Sequence, residues 1–402
     1  MNSSFKILLL ENIHPKAKEI LEAEGHKVDL KSDSPSAKDL KVLLPKYDLV
    51  GIRSKTELTK DILQSAPNLL AVGCFCIGTN QVELTCAKIQ GAPVFNAPHS
   101  NTRSVAELVI AELVMLSRQL GDRNTLSHQG GWMKSAEGAK EIRGKTLGII
   151  GYGHIGSQVS IMAESMGLRV CFYDTVKKLP LGNARACTKL DELLQQSDFV
   201  TLHVPETPHT KEMMGSRQFK KMKKGSFLLN LSRGTVVCID DLVEAIKEKH
   251  IAGAALDVFP IEPASNKDKF KSPLQNLPNV ILTPHIGGST EEAQLSIGAE
   301  VAESFLKFIR AGTTAGAVNF PHVELPIAPG SHRILNVHRN EPGVLAEINS
   351  LVSKYGANIL GQQLATESKI GYMVMDVENT GGKKLADEIG KLDRSIRTRV
   401  VS

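Results

Sequence analysis

The feature that most constrains the fold of this chain is a glycine-rich turn that directly follows an apolar segment. Thr146–Ile150 is a continuous apolar run, and the six residues after it, Gly151 to Gly156, read Gly-Tyr-Gly-His-Ile-Gly. Between a strand and a helix, the first glycine permits a tight turn, the second (Gly153) lets the backbone approach a pyrophosphate, and the third lets the helix pack on the strand. The pattern therefore predicts a dinucleotide-binding βαβ unit whose phosphates meet the helix amino terminus.

An acidic residue at the end of the next apolar run selects between the two nicotinamide dinucleotides. Asp174 follows Leu168–Tyr173 and lies 18 residues after Gly156. A carboxylate there accepts hydrogen bonds from ribose hydroxyls and repels a 2′-phosphate. We therefore expect NAD rather than NADP, although Lys177 and Lys178 lie nearby. The alternative is a glycine turn that holds no ligand.

Strand and helix patterns alternate on both sides of this unit. The chain has 402 residues, enough for two or three domains. Short continuous apolar runs alternate with helical patterns over residues 1–100 and again up to about residue 284, which predicts two doubly wound parallel sheets in an α/β fold, flavodoxin-like and Rossmann. Prolines cluster in residues 321–330, as in a linker. Residues 331–402 then follow a β-α-β-β-α-β order, which is typical of a ferredoxin-like fold.

Composition and charge argue against several classes of protein. The formal net charge of +5 is dispersed along the chain, which argues against nucleic-acid binding. No apolar stretch approaches the ~20 residues that span a bilayer, and the run Ile7–Leu10 is too short for a signal peptide. The six cysteines show neither CxxC spacing nor a dense disulfide framework, so we expect reduced thiols and a cytoplasmic location. The Cys, His, Asp and Glu residues show no spacing typical of metal ligands, so we expect no metal.

Three polar segments follow predicted strands of the second sheet, at the edge where open α/β sheets bind ligands. They contain Arg233, Glu262 and His285. Taken singly, each has an ordinary structural interpretation: a surface ion-pair partner, a solvated loop acid and a satisfied loop histidine. Together they provide what the oxidation of a 2-hydroxy acid requires: His285 as general base, Glu262 to support its imidazole, and Arg233 to bind the substrate carboxylate. We expect Asp257, in the same region, to orient the nicotinamide carboxamide.

These segments, in this order, resemble the D-2-hydroxyacid dehydrogenase family. The resemblance extends to Gly73–Asn80, Phe95–Pro98 and Ser100–Glu107. It implies that the coenzyme domain interrupts the substrate-binding domain, with expected boundaries at 1–100, 101–288 and 289–320. It also implies further contacts to the dinucleotide, from His154, Ile155, Leu231, Ser232, Ile286, Gly287 and Gly288.

A basic loop in the first domain resembles the loop with which some members of that family contact a substrate phosphate. Arg53 and Ser54 match, and Lys55 stands where an arginine often lies. A lysine binds phosphate as a point charge but lacks the guanidinium fork. The alternative is a solvated basic loop. We expect Asn101 either to contact the substrate or to cap the long helix that begins near Thr102.

The C-terminal unit resembles an ACT domain, a binder of amino-acid effectors. The loop from His338 to Gly343 matches the effector loop, and Asn358 matches its partner. Backbone N–H groups at the Pro-Gly entry to the next helix suit a carboxylate, while Asn340 and Asn358 suit an amine and a hydroxyl. The resemblance implies a homo-oligomer, expected to be a tetramer, that L-serine inhibits. The alternative is a module that serves only oligomerisation.

The whole chain resembles the branch of the family that oxidises 3-phospho-D-glycerate to 3-phosphohydroxypyruvate with NAD, the first step of L-serine biosynthesis. The resemblance also implies a side reduction of 2-oxoglutarate to 2-hydroxyglutarate. Two alternatives remain open at this point. One is a dehydrogenase for an unphosphorylated D-2-hydroxy acid, and the other is a non-catalytic NAD-sensing corepressor on the same fold.

Overall fold

The computed structural model describes residues 4–263, 267–378 and 382–401. The chain divides into two compact units by its internal contacts. One unit comprises residues 1–100 and 294–402, and the other comprises residues 101–293. Within the described residues, the first unit contains two β-sheets and the second contains one.

The first sheet has five parallel strands in the order β2-β1-β3-β4-β5. This is the order of a flavodoxin-like doubly wound sheet, as the sequence predicts. Its strands are β1 Lys6–Leu9, β2 Lys27–Leu30, β3 Leu49–Ile52, β4 Ala71–Cys74 and β5 Val94–Asn96. The intervening helices are α1 Pro15–Ala23, α2 Ala37–Leu43, the 3₁₀ turn Leu44–Lys46, α3 Lys60–Ser65 and α4 Leu84–Ile89.

The second unit contains a seven-stranded parallel sheet in the order β12-β11-β10-β9-β6-β7-β8. The strand order reverses beside β6, so the sheet has Rossmann topology, in which ligands bind outside the carboxyl ends of the strands at this point. Its strands are β6 Thr146–Ile150, β7 Arg169–Tyr173, β8 Arg185–Ala186, β9 Phe199–Leu202, β10 Ser226–Asn230, β11 Ile251–Leu256 and β12 Val280–Leu282. Its helices are α5 Thr102–Arg118, α6 Leu120–His128, α7 His154–Ser165, α8 Leu190–Gln196, α9 Ser216–Lys221, the 3₁₀ turn Gly234–Val236 and α10 Ile239–Lys247.

The central strands are buried along their whole length, which explains their continuous apolar runs. Every residue of β3, β4, β6, β9 and β10 is buried. A parallel sheet with helices on both faces leaves no solvent-exposed side for alternating polar residues. Strand β2, with pattern exposed-buried-exposed-half-buried, lies at a sheet edge and gives no such signal, so the sequence did not predict it.

Helix α11, Glu291–Ala311, begins just before the boundary at residue 293, and its later turns pack on the first sheet. The ring of Phe305 meets Phe75 and Phe95 edge-on, with centroid distances of 6.4 and 6.3 Å. A Cβ on Gly73 would lie 2.7 Å from the Phe305 ring, so the small residue permits this close packing.

The third sheet is antiparallel, in the order β14-β15-β13-β16, which is the ferredoxin-like order that the sequence predicts. Its elements are β13 His332–Arg339, α12 Val344–Lys354, β14 Ile359–Thr366, β15 Ile370–Val377, α13 Gly382–Gly390 and β16 Ser395–Val401. The two helices cover one face of the sheet. The other face packs against Phe320 and Val323, which lie in the chain just before it.

A buried ion pair fastens this sheet to the preceding segment. The guanidinium of Arg333 donates two hydrogen bonds to the Asp376 carboxylate, at 2.7 Å each. It donates three more to the backbone carbonyls of Ala311, Leu325 and Pro326. All five guanidinium N–H groups are therefore used, and the pair is fully desolvated.

Two helices are bounded by residues with a positive φ. The long helix α5 ends at Arg118, because Gln119 takes a left-handed conformation with φ 52°. Pro342 lies just before helix α12. The cap is Gly343 at φ 93°, a backbone conformation that favours glycine.

All six cysteines are free thiols, and four of them are buried. Burial raises the pKa of the Cys74 and Cys171 thiols, which keeps them protonated and unreactive. Among the helices that the structure describes, none has the combination of length and apolarity needed to cross a bilayer.

Candidate active site

The glycine turn has the geometry that a bound pyrophosphate requires. Gly151 has φ 93°, and a Cβ there would lie 2.3 Å from the carbonyl oxygen of His203. A Cβ on Gly156 would lie 2.2 Å from the Gly151 oxygen, so both positions exclude a side chain. A Cβ on Gly153 would meet nothing within 4 Å, which leaves the amino terminus of α7 open to a ligand. The turn therefore fits a dinucleotide phosphate.

Asp174 follows β7, next to the turn that follows β6. Its carboxylate accepts hydrogen bonds from the backbone N–H of Tyr152, at 2.8 Å, and of Val176, at 2.9 Å. Each oxygen has a further lone pair for ribose hydroxyls. At the start of α7, His154 is exposed and Ile155 is half-buried.

The sequence predicts a catalytic trio of Arg233, Glu262 and His285. Arg233 lies in a turn that the buried side-chain amide of Asn230 holds in place. Asn230 ends β10, and its Oδ1 accepts hydrogen bonds from the backbone N–H and the hydroxyl of Ser232. Its Nδ2 donates to the Arg233 carbonyl at 3.0 Å. A Cβ on Gly234 would lie 2.0 Å from the Phe259 backbone, so the next loop passes close by. Leu231, before this turn, is buried.

The imidazole and the carboxylate of the trio are in direct contact. Nδ1 of His285 lies 2.8 Å from Oε2 of Glu262. The other oxygen of Glu262 accepts a hydrogen bond from the Phe259 backbone N–H at 3.1 Å, which fixes the carboxylate. Because a carboxylate only accepts, Nδ1 carries the hydrogen, and Nε2 presents a lone pair.

The electrostatics of the pair suit a proton acceptor. The hydrogen bond to Glu262 raises the pKa of His285, burial opposes that effect, and the negative charges of Glu262 and Asp257 add to it. Burial raises the pKa of the Glu262 carboxyl, but the hydrogen bond and charge of His285 outweigh it, so the net pKa is lowered. The charge of Arg233 acts on both groups, so the three side chains share one electrostatic environment.

Asp257 organises the loop that carries His285. Its carboxylate, only 1 % exposed, accepts hydrogen bonds from the Thr283 hydroxyl at 2.6 Å and from the backbone N–H groups of Ile286 and Gly287 at 2.8 Å each. His285 itself has φ 54°, a strained conformation for a residue with a side chain. Three of the four lone-pair sites on Asp257 are thus occupied, and one remains for a carboxamide.

Asn101 is at the N-cap position of α5 but makes no side-chain capping bond. Asn101 therefore occupies the cap position that the sequence allows, although its side chain accepts no hydrogen bond from the helix. Its Oδ1 is buried without a hydrogen-bond partner, and its amide packs against Gly288, where a Cβ would lie 2.4 Å away. A buried, unpaired acceptor fits a ligand that donates a hydrogen bond.

In the first unit, a buried acid holds the basic loop after β3. The carboxylate of Glu11 accepts hydrogen bonds from the backbone N–H groups of Arg53, Lys55 and Thr56, at 3.1, 3.0 and 2.8 Å. Those N–H groups therefore point at Glu11. The Ser54 and Lys55 side chains are exposed, and that of Arg53 is half-buried.

The three residues of the third sheet that the sequence predicts to bind an effector occupy different environments. His338 is 3 % exposed, its Nδ1 lies 2.9 Å from Oδ1 of Asn336, and burial lowers its pKa. Asn340 is exposed and donates to the Glu367 carbonyl at 2.8 Å. Asn358 is also exposed and donates to the Glu378 carboxylate at 3.2 Å.

Sequence reasoning missed the polar side chains that hold these loops. Glu11, Asn230 and Thr283 contact residues that are remote in sequence or carry no recognisable pattern. Two other acids left a usable signal in the sequence. Glu112 interrupts the apolar stretch of residues 108–116 in α5, and Asp376 interrupts the apolar strand β15. A charged residue inside such a run indicates a buried, functional or paired group.

Two segments of the chain match known families. Residues 110–287 match the family described as D-isomer specific 2-hydroxyacid dehydrogenase, NAD binding domain. Residues 334–397 match the AHAS small subunit-like ACT domain. Both matches confirm expectations from the sequence, namely a coenzyme domain for NAD and a C-terminal ACT domain.

Curated relatives match almost the whole chain. A D-3-phosphoglycerate dehydrogenase from Dictyostelium discoideum is 51 % identical over 98 % of this chain and 97 % of its own length. The enzyme of that name from Escherichia coli strain K12 is 52 % identical over 93 % of this chain and 91 % of its own. A solved D-lactate dehydrogenase from Aquifex aeolicus, complexed with NAD and lactic acid, is 28 % identical with a TM-score of 0.68, over 78 % of this chain and 99 % of that one. The chain therefore belongs to the D-isomer specific 2-hydroxyacid dehydrogenases and, within them, to the family of D-3-phosphoglycerate dehydrogenases.

Proposed function

We propose that this chain oxidises 3-phospho-D-glycerate to 3-phosphohydroxypyruvate with NAD, as the first step of L-serine biosynthesis. Relatives that are about half identical over nearly the full length carry the corresponding name. The observation that carries the proposal is the 2.8 Å contact between His285 and Glu262 at the carboxyl edge of the NAD-binding sheet. It supplies a polarised general base where open α/β sheets bind their ligands.

The residues of the trio divide the work of the reaction. NAD, when bound, accepts the hydride from C2 of the hydroxy acid. Nε2 of His285 takes the hydroxyl proton, and the Glu262 carboxylate stabilises the imidazolium that forms. Arg233 binds the substrate carboxylate through its guanidinium fork and polarises the developing carbonyl. In the reverse direction, His285 returns the proton.

The glycine turn, Asp174 and the loop after β12 would hold the NAD. Open space above Gly153 suits the pyrophosphate, and the free lone pairs of Asp174 suit the adenosine ribose. The remaining lone pair of Asp257 suits the nicotinamide carboxamide. We assign the other contacts to His154, Ile155, Leu231, Ser232, Ile286, Gly287 and Gly288.

We assign the substrate phosphate to side chains rather than to backbone N–H groups of the basic loop. The carboxylate of Glu11 occupies the N–H groups of residues 53, 55 and 56. Binding of a phosphate therefore depends on the guanidinium of Arg53, the hydroxyl of Ser54 and the ammonium of Lys55. Asn101, with its unpaired Oδ1, is a further substrate contact.

The ACT domain would bind L-serine through Asn340 and Asn358, with His338 shaping the loop. Asn340 donates to the Glu367 backbone, and the Glu367 carboxylate forms an ion pair with Lys88 on α4 of the first sheet. Binding of serine at the loop of Asn340 can therefore alter the contact between Glu367 and Lys88, which belongs to the predicted substrate-binding domain. Asn340→Ala and Asn358→Ala should abolish inhibition by serine. Deleting residues 331–402 is a poorer test, because it would expose the apolar residues that pack against the sheet.

We propose a homotetramer located in the cytoplasm. Strand β14 lies at the edge of the third sheet and exposes Leu360 and Leu364, so it can pair with a second copy. Six free thiols fit a reducing compartment. Light scattering should give four times the chain mass of 43.6 kDa. A mass of one chain at working concentration would contradict the assembly.

Replacement of His285 tests the chemistry. His285→Ala should lower turnover by about 10³-fold while NAD affinity stays within about threefold, because the general base is lost and the glycine turn is untouched. His128→Ala, an exposed histidine on α6, serves as the matched control. NADH absorbance measures turnover, and calorimetry measures NAD binding. Near-normal turnover of His285→Ala would exclude the assigned base.

The basic loop tests the identity of the substrate. Arg53→Gln and Lys55→Gln should each raise KM for 3-phosphoglycerate by roughly tenfold to 100-fold, the loss of one charged hydrogen bond. KM for unphosphorylated D-glycerate should not change. Lys38→Gln removes an exposed charge from α2 as a control. Equal KM changes for both acids would favour a dehydrogenase of unphosphorylated D-2-hydroxy acids. Reduction of 2-oxoglutarate, followed in the same assay, tests the side activity.

A further inference from the structure

Helix α5 carries a buried acid, Glu112, next to the loop that contains Thr283 and His285. Glu112 is 1 % exposed and lies among apolar residues of the core that α5 shares with α7. Among the described residues, no basic group is among the influences on its pKa, and its Oε2 is buried without a hydrogen-bond partner. A charged carboxylate in such a place would be strongly destabilised.

The hydrogen bonds around Thr283 indicate the protonation state of this acid. The Thr283 hydroxyl lies 2.6 Å from Oδ1 of Asp257 and 3.3 Å from Oε1 of Glu112. A hydroxyl has one hydrogen, and the shorter contact to the Asp257 carboxylate takes it. Two backbone N–H groups also donate to Asp257, so that residue only accepts. The contact between Thr283 and Glu112 then lacks a hydrogen unless Glu112 supplies it.

We propose that Glu112 is a neutral carboxylic acid and a positioning residue, which donates to Thr283 and so fixes Asp257 and the loop of His285. Its proton completes a directed chain: the carboxylic O–H donates to the Thr283 hydroxyl, and that hydroxyl donates to the Asp257 carboxylate. Asp257 in turn holds the N–H groups of Ile286 and Gly287, which directly follow the strained His285.

The surroundings of Glu112 agree with this assignment. Burial, and then the charge of Asp257, raise the pKa of Glu112 to about 8, while the Thr283 hydrogen bond opposes them. Of the neighbouring strands, β10 ends in the uncharged Asn230, β11 leads to Asp257, and β12 leads to Thr283. Helix α7 contributes apolar residues to the same core. Next to Asp257, the charged or titratable groups are His285 and Arg233, and the charges of Asp257 and Arg233 both act on the pKa of His285.

Ionisation of Glu112 has a consequence for catalysis, which rests on the proposed function. Above about pH 8, a second negative charge would adjoin Asp257, and Thr283 could no longer receive a hydrogen from Glu112. The loop of His285 would lose one of its supports. We therefore expect kcat/KM for oxidation of the hydroxy acid, which needs neutral His285, to fall on the alkaline side through a group that touches neither substrate nor coenzyme.

Infrared spectroscopy of the apo-protein tests the protonation state without any substrate. The difference between wild type and Glu112→Gln should contain the C=O band of a protonated carboxyl at about pH 6, and the band should be lost at about pH 10. Glu107→Gln, at an exposed position of the same helix, should give no such band. Absence of the band from wild type at about pH 6 would overturn the proposal, whatever the enzyme catalyses.

Steady-state kinetics then test the positioning role. Glu112→Gln keeps a neutral donor, so its kcat/KM for oxidation at about pH 7 should stay within about threefold of wild type. In the same variant, the alkaline decline of kcat/KM for oxidation near pH 8 should disappear. Glu112→Leu cannot donate and should lose roughly tenfold at all pH values. If Glu112→Gln loses as much as Glu112→Leu, or keeps the alkaline decline, the positioning role is refuted. Because the glutamine variant preserves shape, the test does not depend on the folding of the leucine variant.

Discussion

The substitution Glu262→Gln measures how far one hydrogen bond sets the basicity of His285. In the native site, a carboxylate accepts the Nδ1 hydrogen at 2.8 Å, and this contact raises the pKa of His285. Glutamine has the same shape and can still accept that hydrogen, but it has no charge. We therefore expect the pKa of His285 to fall toward its ordinary value, while the imidazole keeps its orientation.

The exposure of the pair sets the size of the shift. A hydrogen bond to a charged group contributes about 1.5–3 kcal/mol. The His285 side chain is 51 % exposed and that of Glu262 is 35 % exposed, so solvent screening reduces the contribution to roughly 1–1.5 kcal/mol. About 1.4 kcal/mol corresponds to a tenfold change in an equilibrium constant, so loss of this contact should weaken proton binding to His285 and lower its pKa.

The sign of the effect differs between the two directions of the reaction. Reduction of the keto acid needs protonated His285, so its rate is lost as pH rises through the pKa of His285. In Glu262→Gln that loss should begin at lower pH, and on the alkaline side the rate should fall by up to about tenfold. Oxidation needs neutral His285, so its acidic limit should move to lower pH as well.

Profiles of kcat/KM against pH in both directions provide the measurement. Glu248→Gln, at an exposed position just after α10, removes the same charge away from the pair and should leave both profiles in place. A uniform loss of rate in Glu262→Gln with unmoved pH limits would refute the reasoning. It would mean that Glu262 orients the ring without setting its pKa.

Three further substitutions test two of the loops and the buried ion pair of the third sheet. Asp174→Ser should raise kcat/KM with NADP relative to NAD by at least about tenfold, because the carboxylate that repels a 2′-phosphate is gone; an unchanged ratio would contradict its role. Asp376→Asn should lower the free energy of unfolding by about 3–5 kcal/mol, since it leaves the Arg333 charge buried without its partner, and chemical denaturation measures the loss. Glu11→Gln should raise KM for 3-phosphoglycerate several-fold with little change in kcat, because it weakens the hydrogen bonds that fix residues 53–56. An unchanged KM would show that the conformation of this loop does not depend on Glu11.

The sequence predicted the three sheets because most of their strands carried a local signal of their own. Continuous apolar runs mark buried parallel strands. Gly151 and Gly156 occupy positions where a Cβ would meet backbone atoms, and Gly153 leaves open space at the start of α7. The proximity of His285 to Glu262 was also predictable. Each follows a strand, β12 and β11 are neighbours, and parallel strands end at the same edge.

The supporting contacts were not predictable, because they join residues far apart in the sequence. Arg333 and Asp376 are 43 residues apart and lie on paired strands, yet neither strand by itself shows which charge it will meet. Edge strand β2 was missed for a related reason, since its charged and half-exposed residues resemble those of a loop. A local sequence pattern indicates whether a residue is buried. The ion pair and the edge strand depend instead on which strands lie next to each other in the folded sheet.

One arrangement recurs at the carboxyl edges of both parallel sheets. Glu11 follows β1 and holds the backbone N–H groups after β3, Asp174 follows β7 and holds the Tyr152 N–H after β6, and Asp257 follows β11 and holds two N–H groups after β12. In each case the acid and the loop belong to adjacent strands.

This arrangement has a physical origin. Where parallel strands end, the loops leave backbone N–H groups that no strand partner satisfies, and a carboxylate from the neighbouring strand can accept two or three of them at once. The loops held in this way carry the basic residues, the glycine turn and His285. Substitution of such an acid should therefore disturb binding or proton transfer through the shape of the adjacent loop, even where the acid touches no ligand.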